Sequence, residues 1–213
     1  MSGLVLHGYW RSTASYRVRI GLALKGLDFQ QASHDLRIGA HHDPGFKAMA
    51  PQGLVPVLET EDGVISQSLA ILEWLEESFP IPGLLPTSPG DRAIVRAMAE
   101  AIACDIHPLN NLRVLNALRG DFAASPDQLS AWITRWITDG FAGLESLIDH
   151  HGGAFAFGDA PGIADCCLVP QVYSARRFGV ELQSFPRILA VDERARSIPA
   201  FAAAHPDSQP DAG

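Results

Sequence analysis

The chain has 213 residues with 47% hydrophobic content, enough for one large domain or two small ones with their own cores. Its formal net charge of −8 excludes nucleic acid as a partner, because phosphate binding needs an excess of Lys and Arg on one face. No apolar run approaches the ~20 residues of a membrane span, and no basic, apolar, small-residue leader opens the chain, so a cytoplasmic protein without membrane attachment is expected. The cysteines, Cys104, Cys166 and Cys167, are odd in number, and the adjacent pair is badly placed for a mutual disulfide. Reduced thiols follow, and without a Cys-x-x-Cys pair dithiol redox chemistry is disfavoured.

Leu4-Val5-Leu6-His7-Gly8-Tyr9-Trp10 is short, apolar and aromatic, the pattern of a buried strand. Arg11-Ser12-Thr13-Ala14-Ser15-Tyr16-Arg17-Val18-Arg19 follows, setting hydroxyls and cations where a strand hands over to a helix. Val18, Ile20, Leu22 and Leu24 carry that helix to Gly26, which suits the left-handed position after a helix end. Ser12 reads first as a helix N-cap. The same first turn offers backbone N–H groups and the positive end of the helix dipole, so a thiolate or carboxylate held by Ser12 or Thr13 is stabilised there.

Leu27-Asp28-Phe29-Gln30 and the residues after it fit a second strand, returning parallel to the first through the crossover helix. Gly39 to Pro51 reads as loop and short helix. Gly53-Leu54-Val55-Pro56-Val57-Leu58-Glu59 is an apolar strand, and Glu61-Asp62-Gly63 turns it into Val64-Ile65-Ser66 as a hairpin. Pro56 is tolerated where it opens the strand, and a cis Val55-Pro56 bond turns the Val55 backbone groups outward. Ser68 is expected to cap a helix with Leu69, Ile71, Leu72 and Leu75 inward, ending near Phe79-Pro80. The order is βαβ, then ββα, an α/β domain over residues 1–82.

Residues 80–90 are rich in Pro and Gly, and a linker is placed at 83–90; Ser88 and Asp91 have capping-box spacing. Apolar residues then recur at helical spacing through 93–118, 129–148 and 163–178, giving an all-helical domain over 91–213. From Ala202 the tail, with Pro206 and Pro210, is expected to be poorly ordered.

These segments resemble the glutathione transferase fold, in which an N-terminal thioredoxin-like α/β domain precedes an all-α C-terminal domain. Val55-Pro56 stands at the cis-proline site and Gln67-Ser68 at the position that holds the γ-glutamyl group of glutathione. Arg11 to Ile20 is similar to the zeta-class signature, whose usual form is Ser-Ser-Cys-x-Trp-Arg-Val-Arg-Ile. Cys104-Asp105-Ile106-His107-Pro108-Leu109-Asn110-Asn111-Leu112-Arg113 and Ala164-Asp165-Cys166-Cys167-Leu168-Val169-Pro170-Gln171-Val172, followed by Ser174-Ala175-Arg176-Arg177-Phe178, match the same group. That class includes maleylacetoacetate and maleylpyruvate isomerases. The resemblance therefore implies a glutathione-dependent cis–trans isomerase of a maleyl keto acid in aromatic-ring degradation, working as a homodimer through the first long helices. The alternative it leaves is a general glutathione transferase acting on α-halo acids or other small electrophiles. A non-catalytic binding protein of this fold would be expected to have lost Ser12, Gln67, Ser68 and the arginines, which are intact.

Two positions depart from the pattern. The signature cysteine is Ala14, so no protein thiol serves at that site, and Gly162 stands where the family has a Ser or Thr cap. The implied chemistry is addition of the glutathione thiolate to the double bond, rotation, and expulsion of the thiol, so the nucleophile belongs to the cofactor. Ser12 is then the hydrogen-bond donor to sulfur, with Thr13 the alternative and Ala14 offering only its backbone N–H. Arg11 is assigned a catalytic and substrate-binding role, and Arg113 and Arg177 bind the second partner, a small dicarboxylate; Arg176 is read as solvated. Arg17 and Arg19 are read as makers of structural ion pairs. The resemblance adds His41, Val55, Gln67, Ser68, His107 and Asn111 to the glutathione site, although a His before Pro108 is also an ordinary structural residue. His41-His42 alone is too weak a pattern for a metal, and none is expected. Asp165 reads as a buried helix anchor.

Overall fold

The computed structural model describes residues 3–213, so the first two residues of the expected α/β domain lie outside the described residues. Strand β1 (Val5–Gly8), helix α1 (Thr13–Leu24) and strand β2 (Gln30–Ser33) form a βαβ unit with β1 and β2 parallel. A 3-10 turn at Ala40–His42 and the short α2 (Pro44–Met49) lead to β3 (Val57–Thr60), β4 (Gly63–Ser66) and α3 (Ser68–Ser78). Both later strands pair antiparallel, giving the sheet order β2-β1-β3-β4. The third strand is shorter than the apolar run predicts. It starts only at Val57, after a cis Val55–Pro56 bond, because Pro56 has no N–H to give a ladder.

The interior of this sheet layer is supplied by Leu6, Val57 and Leu58 from the strands and by Val18, Ile20, Ile71, Leu72 and Leu75 from α1 and α3, all at most 1% exposed. Gly21 permits the close crossing of these helices: a Cβ there would lie 2.4 Å from Leu72 Cδ2. A buried cluster secures the exit from α3. Lys25 Nζ donates to Glu76 Oε2 at 2.8 Å and to the Pro82 carbonyl at 2.6 Å, while the Leu84 amide donates to the same Glu76 oxygen at 2.7 Å.

The helical unit comprises α4 (Pro89–Glu100), α5 (Leu112–Gly120), α6 (Pro126–His151), α7 (Ile163–Arg177) and α8 (Pro186–Arg196). The first helix expected over 93–118 is interrupted. A π-helical turn covers Ala101–Ile106 and a 3-10 turn Pro108–Asn110. Pro108 cannot continue an α-helical ladder, and the amide just before it, His107 N–H, reaches back five residues to Ile102 O at 2.9 Å. Ile106 in turn lies against Gly140, where a Cβ would stand 2.3 Å from Ile106 Cγ1. Ser88 is the N-cap of α4 but makes no side-chain cap bond, so the Ser88-Asp91 box does not form. The box at the start of α6 does: Ser125 Oγ accepts from Gln128 N–H at 3.2 Å and Gln128 Oε1 from Ser125 N–H at 2.8 Å.

The tail is ordered, contrary to expectation. Helix α9 (Pro199–Ala204) and a 3-10 turn at Pro206–Ser208 precede Asp211, whose carboxylate accepts the Trp10 amide at 3.0 Å. The chain accordingly divides into one unit of residues up to Leu84 with Arg196–Gly213, and another of Leu85–Ala195. Of the prolines that suggested disorder, Pro206 opens the 3-10 turn, where its missing N–H costs nothing, and Pro210 lies in the turn that follows. Among the described residues no helix is long and apolar enough to cross a membrane.

Asp165 is the anchor that its position suggested. Its carboxylate accepts the Gly162 amide at 2.9 Å, the surviving half of the capping box, and the Ala156 amide at 2.9 Å. Burial pushes the Asp165 carboxyl up to about 6, against the pull of those amides. The folded state therefore binds this proton more tightly than the unfolded chain does. The group's contribution to stability is fully present below about pH 4 and is lost as pH rises through about 6. Asp165→Asn removes that slope: relative to the variant, wild-type stability is expected to fall by roughly 3 kcal/mol between about pH 4 and pH 7. Urea unfolding at the two pH values checks it, and parallel changes in both proteins would contradict it.

Candidate active site

Because β1 runs parallel to β2 and antiparallel to β3, while β3 and β4 are antiparallel, four chain segments converge at one end of the sheet. Gly8 pairs with Ser33, His7 with Val57, and Val57 with Ser66. The turn Tyr9–Ser12, the loop from His34 to His42, the Val55–Pro56 bond and the Gln67–Ser68 junction all leave the sheet at that end. The first unit thus brings Arg11, Ser12, Thr13, His41, Val55, Gln67 and Ser68 to one edge.

Ser12 is the N-cap of α1, with φ −68° and ψ 117°, and its Oγ accepts from Ser15 N–H at 3.2 Å. The Ser12 amide closes the preceding turn on Tyr9 O at 3.0 Å. The hydroxyl oxygen is thus used as an acceptor while its hydrogen stays available for donation, so capping and anion contact do not compete. Ser12 is half-buried, Thr13 is 6% exposed and Ala14 9%. The absence of an acidic residue in the first turn of α1 leaves its positive end uncompensated by the helix itself. Arg11 is half-buried with its guanidinium carbon 5.3 Å from the Trp10 ring centroid.

Ser68 is not the cap of α3. It is the first helical residue, and its Oγ accepts from Arg17 Nη1 at 3.2 Å, tying α1 to the start of α3. Arg17 and Arg19 are each 2% exposed, and Arg19 donates to the carbonyls of Ala204 at 3.0 Å and Trp10 at 2.9 Å. The N-cap of α3 is Gln67, which makes no side-chain cap bond and has φ 73°. A non-glycine residue in that region is strained. The signal for it was present in the sequence, since a single residue separates β4 from α3 and must turn the chain sharply. Gln67 Nε2 donates to Gln52 Oε1 at 2.8 Å. His41 is half-buried, its ring 3.9 Å from that of His42, and its Nδ1 is buried without a hydrogen-bond partner among the described residues. Burial, and secondarily His42, holds the His41 pKa below the ordinary value. His41 is therefore neutral at physiological pH.

The remaining candidates belong to the helical unit. His107 is half-buried at the end of the π-helical turn. Asn111 caps α5, its Oδ1 accepting from Arg113 N–H at 3.1 Å, and leaves its side-chain amide group for other contacts. The Arg113 side chain is exposed on the first turn of α5. Arg177 lies in the last turn of α7 with its guanidinium 4.5 Å from the Phe178 ring centroid. Arg176 is not merely solvated: it pairs with the buried Asp192 at 2.6 Å. The cavity of 290 Å³ lined by Asp149, Arg187 and Arg194 contains none of the candidate residues.

The family model described as "Glutathione S-transferase, N-terminal domain" matches residues 11–78, and that for the C-terminal domain matches residues 130–203. Maleylacetoacetate isomerase of Pseudomonas aeruginosa is 49% identical over 97% of this chain and 97% of its own. A holo structure of maleylpyruvate isomerase, a bacterial glutathione S-transferase of the zeta class, superposes with a TM-score of 0.96 at 46% identity, covering 98% of this chain and 100% of that one. The chain belongs to the zeta class of glutathione transferases. A further neighbour, maleylacetoacetate isomerase of Anaeromyxobacter dehalogenans with bound GSH in its active site, has a TM-score of 0.90 and 44% identity over 100% of both chains. The matched N-terminal span of the glutathione transferase family contains every candidate of the first unit. The C-terminal span contains Arg177 but begins after His107, Asn111 and Arg113.

The strain at Gln67 is testable by itself. Gln67→Gly relieves ~1–2 kcal/mol of left-handed backbone cost and adds glycine's entropic cost of ~0.5–1 kcal/mol. Stability is therefore expected to be unchanged or higher by up to about 1.5 kcal/mol, whereas Gln67→Val should lower it. Chemical denaturation of both variants checks this, and a Gly variant less stable than the Val variant contradicts it.

Proposed function

We propose that this chain is a glutathione-dependent cis–trans isomerase of a maleyl keto acid. The observation that carries the reading is Ser12, which caps α1 through its oxygen and keeps its hydrogen for a sulfur at the helix N-terminus. Three features of the same sheet end fit glutathione. The Ser12 hydroxyl and first-turn amides suit its thiolate. The Val55 backbone, outside the β3 ladder, suits a peptide contact. The α3 N-terminus, which has no side-chain cap, suits the γ-glutamyl carboxylate next to Gln67 and Ser68. The orphaned Nδ1 of neutral His41 seeks a donor or acceptor at that edge, and His107 and Asn111 complete the assigned contacts. Glutathione, when bound, supplies the thiol that adds to the double bond and leaves after rotation.

The substrate carboxylates are assigned to Arg11, Arg113 and Arg177. In a chain of net charge −8 most arginines would be neutralised by neighbouring acids, yet among the described residues neither Arg11 nor Arg113 forms a salt bridge. Planar guanidinium groups are matched to the carboxylates of a ligand in a bidentate contact. The same reading makes the protein a cytoplasmic homodimer, which sedimentation at micromolar concentration tests.

Ser12→Ala is expected to lower the isomerase rate about 100-fold, corresponding to ~3 kcal/mol for one lost donor in a preorganised site, and Thr13→Ala far less. The rate and the ultraviolet absorbance of bound glutathione thiolate, measured together, decide it; a Ser12 variant normal in both would move the role to Thr13 or to backbone amides. Product analysis separates isomerisation, which returns glutathione unchanged, from conjugation.

Replacing Arg11, Arg113 or Arg177 by Ala should weaken diacid turnover with glutathione binding intact, and Lys should restore charge without full rate. Steady-state kinetics with each reactant varied provide the check. Variants that fail through glutathione instead would reassign the cluster.

A further inference from the structure

The turn that carries Arg11 and Ser12 is gripped by the end of the chain. Both peptides that flank Trp10 are held: the Trp10 amide donates to Asp211 Oδ2 at 3.0 Å, and the Trp10 carbonyl accepts from Arg19 Nη2 at 2.9 Å. The same Asp211 carboxylate accepts from Gln31 Nε2 at 2.8 Å on its other oxygen, and from Ser33 Oγ. It therefore fastens the turn to β2 through three donors from two segments, which fixes its position as well as its charge. Next to it, Tyr9 O accepts from Ser12 N–H at 3.0 Å. Arg11 and Ser12 thus follow a residue, Trp10, whose two flanking peptides are held by Asp211 on one side and Arg19 on the other.

The geometry points to Asp211 as a positioning residue for the Ser12 turn: the C-terminal tail sets where the Ser12 hydroxyl and the Arg11 guanidinium point, and so is part of the active-site framework. Asp211 touches no reacting atom; it acts through the Trp10 amide. Without its carboxylate the Trp10 amide and the two β2 side chains lose one shared acceptor, and the turn keeps its Arg19 contact and its internal Ser12–Tyr9 bond but loses its tie to β2. A displacement of about 1 Å in such a site costs up to ~100-fold in rate. The inference rests on the reading of Ser12 as the donor to the glutathione sulfur.

The test is the pH titration of bound glutathione thiolate, followed by its ultraviolet absorbance in the full-length protein, with melting by circular dichroism in parallel. In Asp211→Ala the titration midpoint is expected to rise toward the ~8.5 of a free thiol, with turnover near neutral pH falling about 10- to 100-fold and the melting transition little changed. Asp211→Asn, which retains one acceptor oxygen for the Trp10 amide, should recover part of the shift, and Asp207→Ala, on the exposed turn before it, none. A midpoint in Asp211→Ala equal to wild type overturns the proposal. So does a loss of thiolate that only follows the loss of folded protein, or equal defects in Asp211→Ala and Asp207→Ala. If wild-type protein does not lower the thiol's midpoint at all, the Ser12 reading falls first and this one with it; if wild type lowers it and the Asp211 variants do too, only the positioning role falls.

Discussion

Arg19 is 2% exposed and its guanidinium reaches carbonyls at Trp10 and Ala204, the second of them 185 positions away in the chain. Burying that charge is tolerable only because the hydrogen bonds are charge-assisted and the acceptors are backbone oxygens that would otherwise be left unpaired. Its consequence reaches through the whole N-terminal unit. The strand-to-helix turn at Tyr9–Ser12 has no sheet partner of its own, so its shape is imposed by Arg19 from within the helix and by the tail that Arg19 helps to hold. Ser12 can act as a cap and a donor together because the turn before it has been fixed by other residues.

What the sequence made legible was whatever depends on local pattern. The βαβ and ββα order, the hairpin at Glu61-Asp62-Gly63, the Ser12 cap and the buried anchor at Asp165 each follow from periodicity, turn chemistry or a single cap position. The segments Arg11–Ile20, Cys104–Arg113 and Ala164–Phe178 together carried the resemblance to the class, and the Val55-Pro56 and Gln67-Ser68 pairs the wider fold. What was not legible depends on partners remote in sequence. Asp211 meets Trp10 across 201 positions, and nothing in a proline-containing tail advertises that contact. Arg17, expected to make a structural ion pair, is buried and donates to the Ser68 hydroxyl across 51 positions. The helix through Pro108 was read as continuous because its apolar spacing persists, although the proline breaks the ladder and a π-helical turn absorbs the offset.

The electrostatics of the chain also separate structural from available cations. Lys25 is committed to Glu76, Arg37 to Asp35, Arg176 to Asp192 and Arg187 to Asp149. Each of these pairs neutralises charge locally, and the acidic excess remains as a field that repels a free dianion at long range. Ionic screening of ~8 Å at physiological salt confines that field, so a few unneutralised arginines suffice to reverse it at a site. An acidic protein can thus bind a dicarboxylate, and it gains discrimination because no diffuse basic surface competes for anions elsewhere.

The helix starts show how one chain divides fold maintenance from ligand binding. At α6 a complete capping box meets the Ser125 and Gln128 amides, and at α7 the Asp165 carboxylate meets the Gly162 amide, so those ends are spent on the protein itself. At α1 the cap is a serine, which satisfies one amide with its oxygen and still carries a proton outward. At α3 the cap is Gln67, whose side chain turns to Gln52 and leaves the helix end without a side-chain acceptor. Both incompletely satisfied ends open at the same edge of the sheet, because β1 and β4 finish there. A helix end left short of acceptors costs stability unless an anion or water meets it, and the strained backbone at Gln67 adds to that cost. Two such ends side by side, one suited to a thiolate and one to a carboxylate, match the cysteinyl thiolate and the γ-glutamyl α-carboxylate of glutathione, and the buried Arg17–Ser68 and Arg19–Trp10 bonds fasten α1 to α3 and to the turn before it.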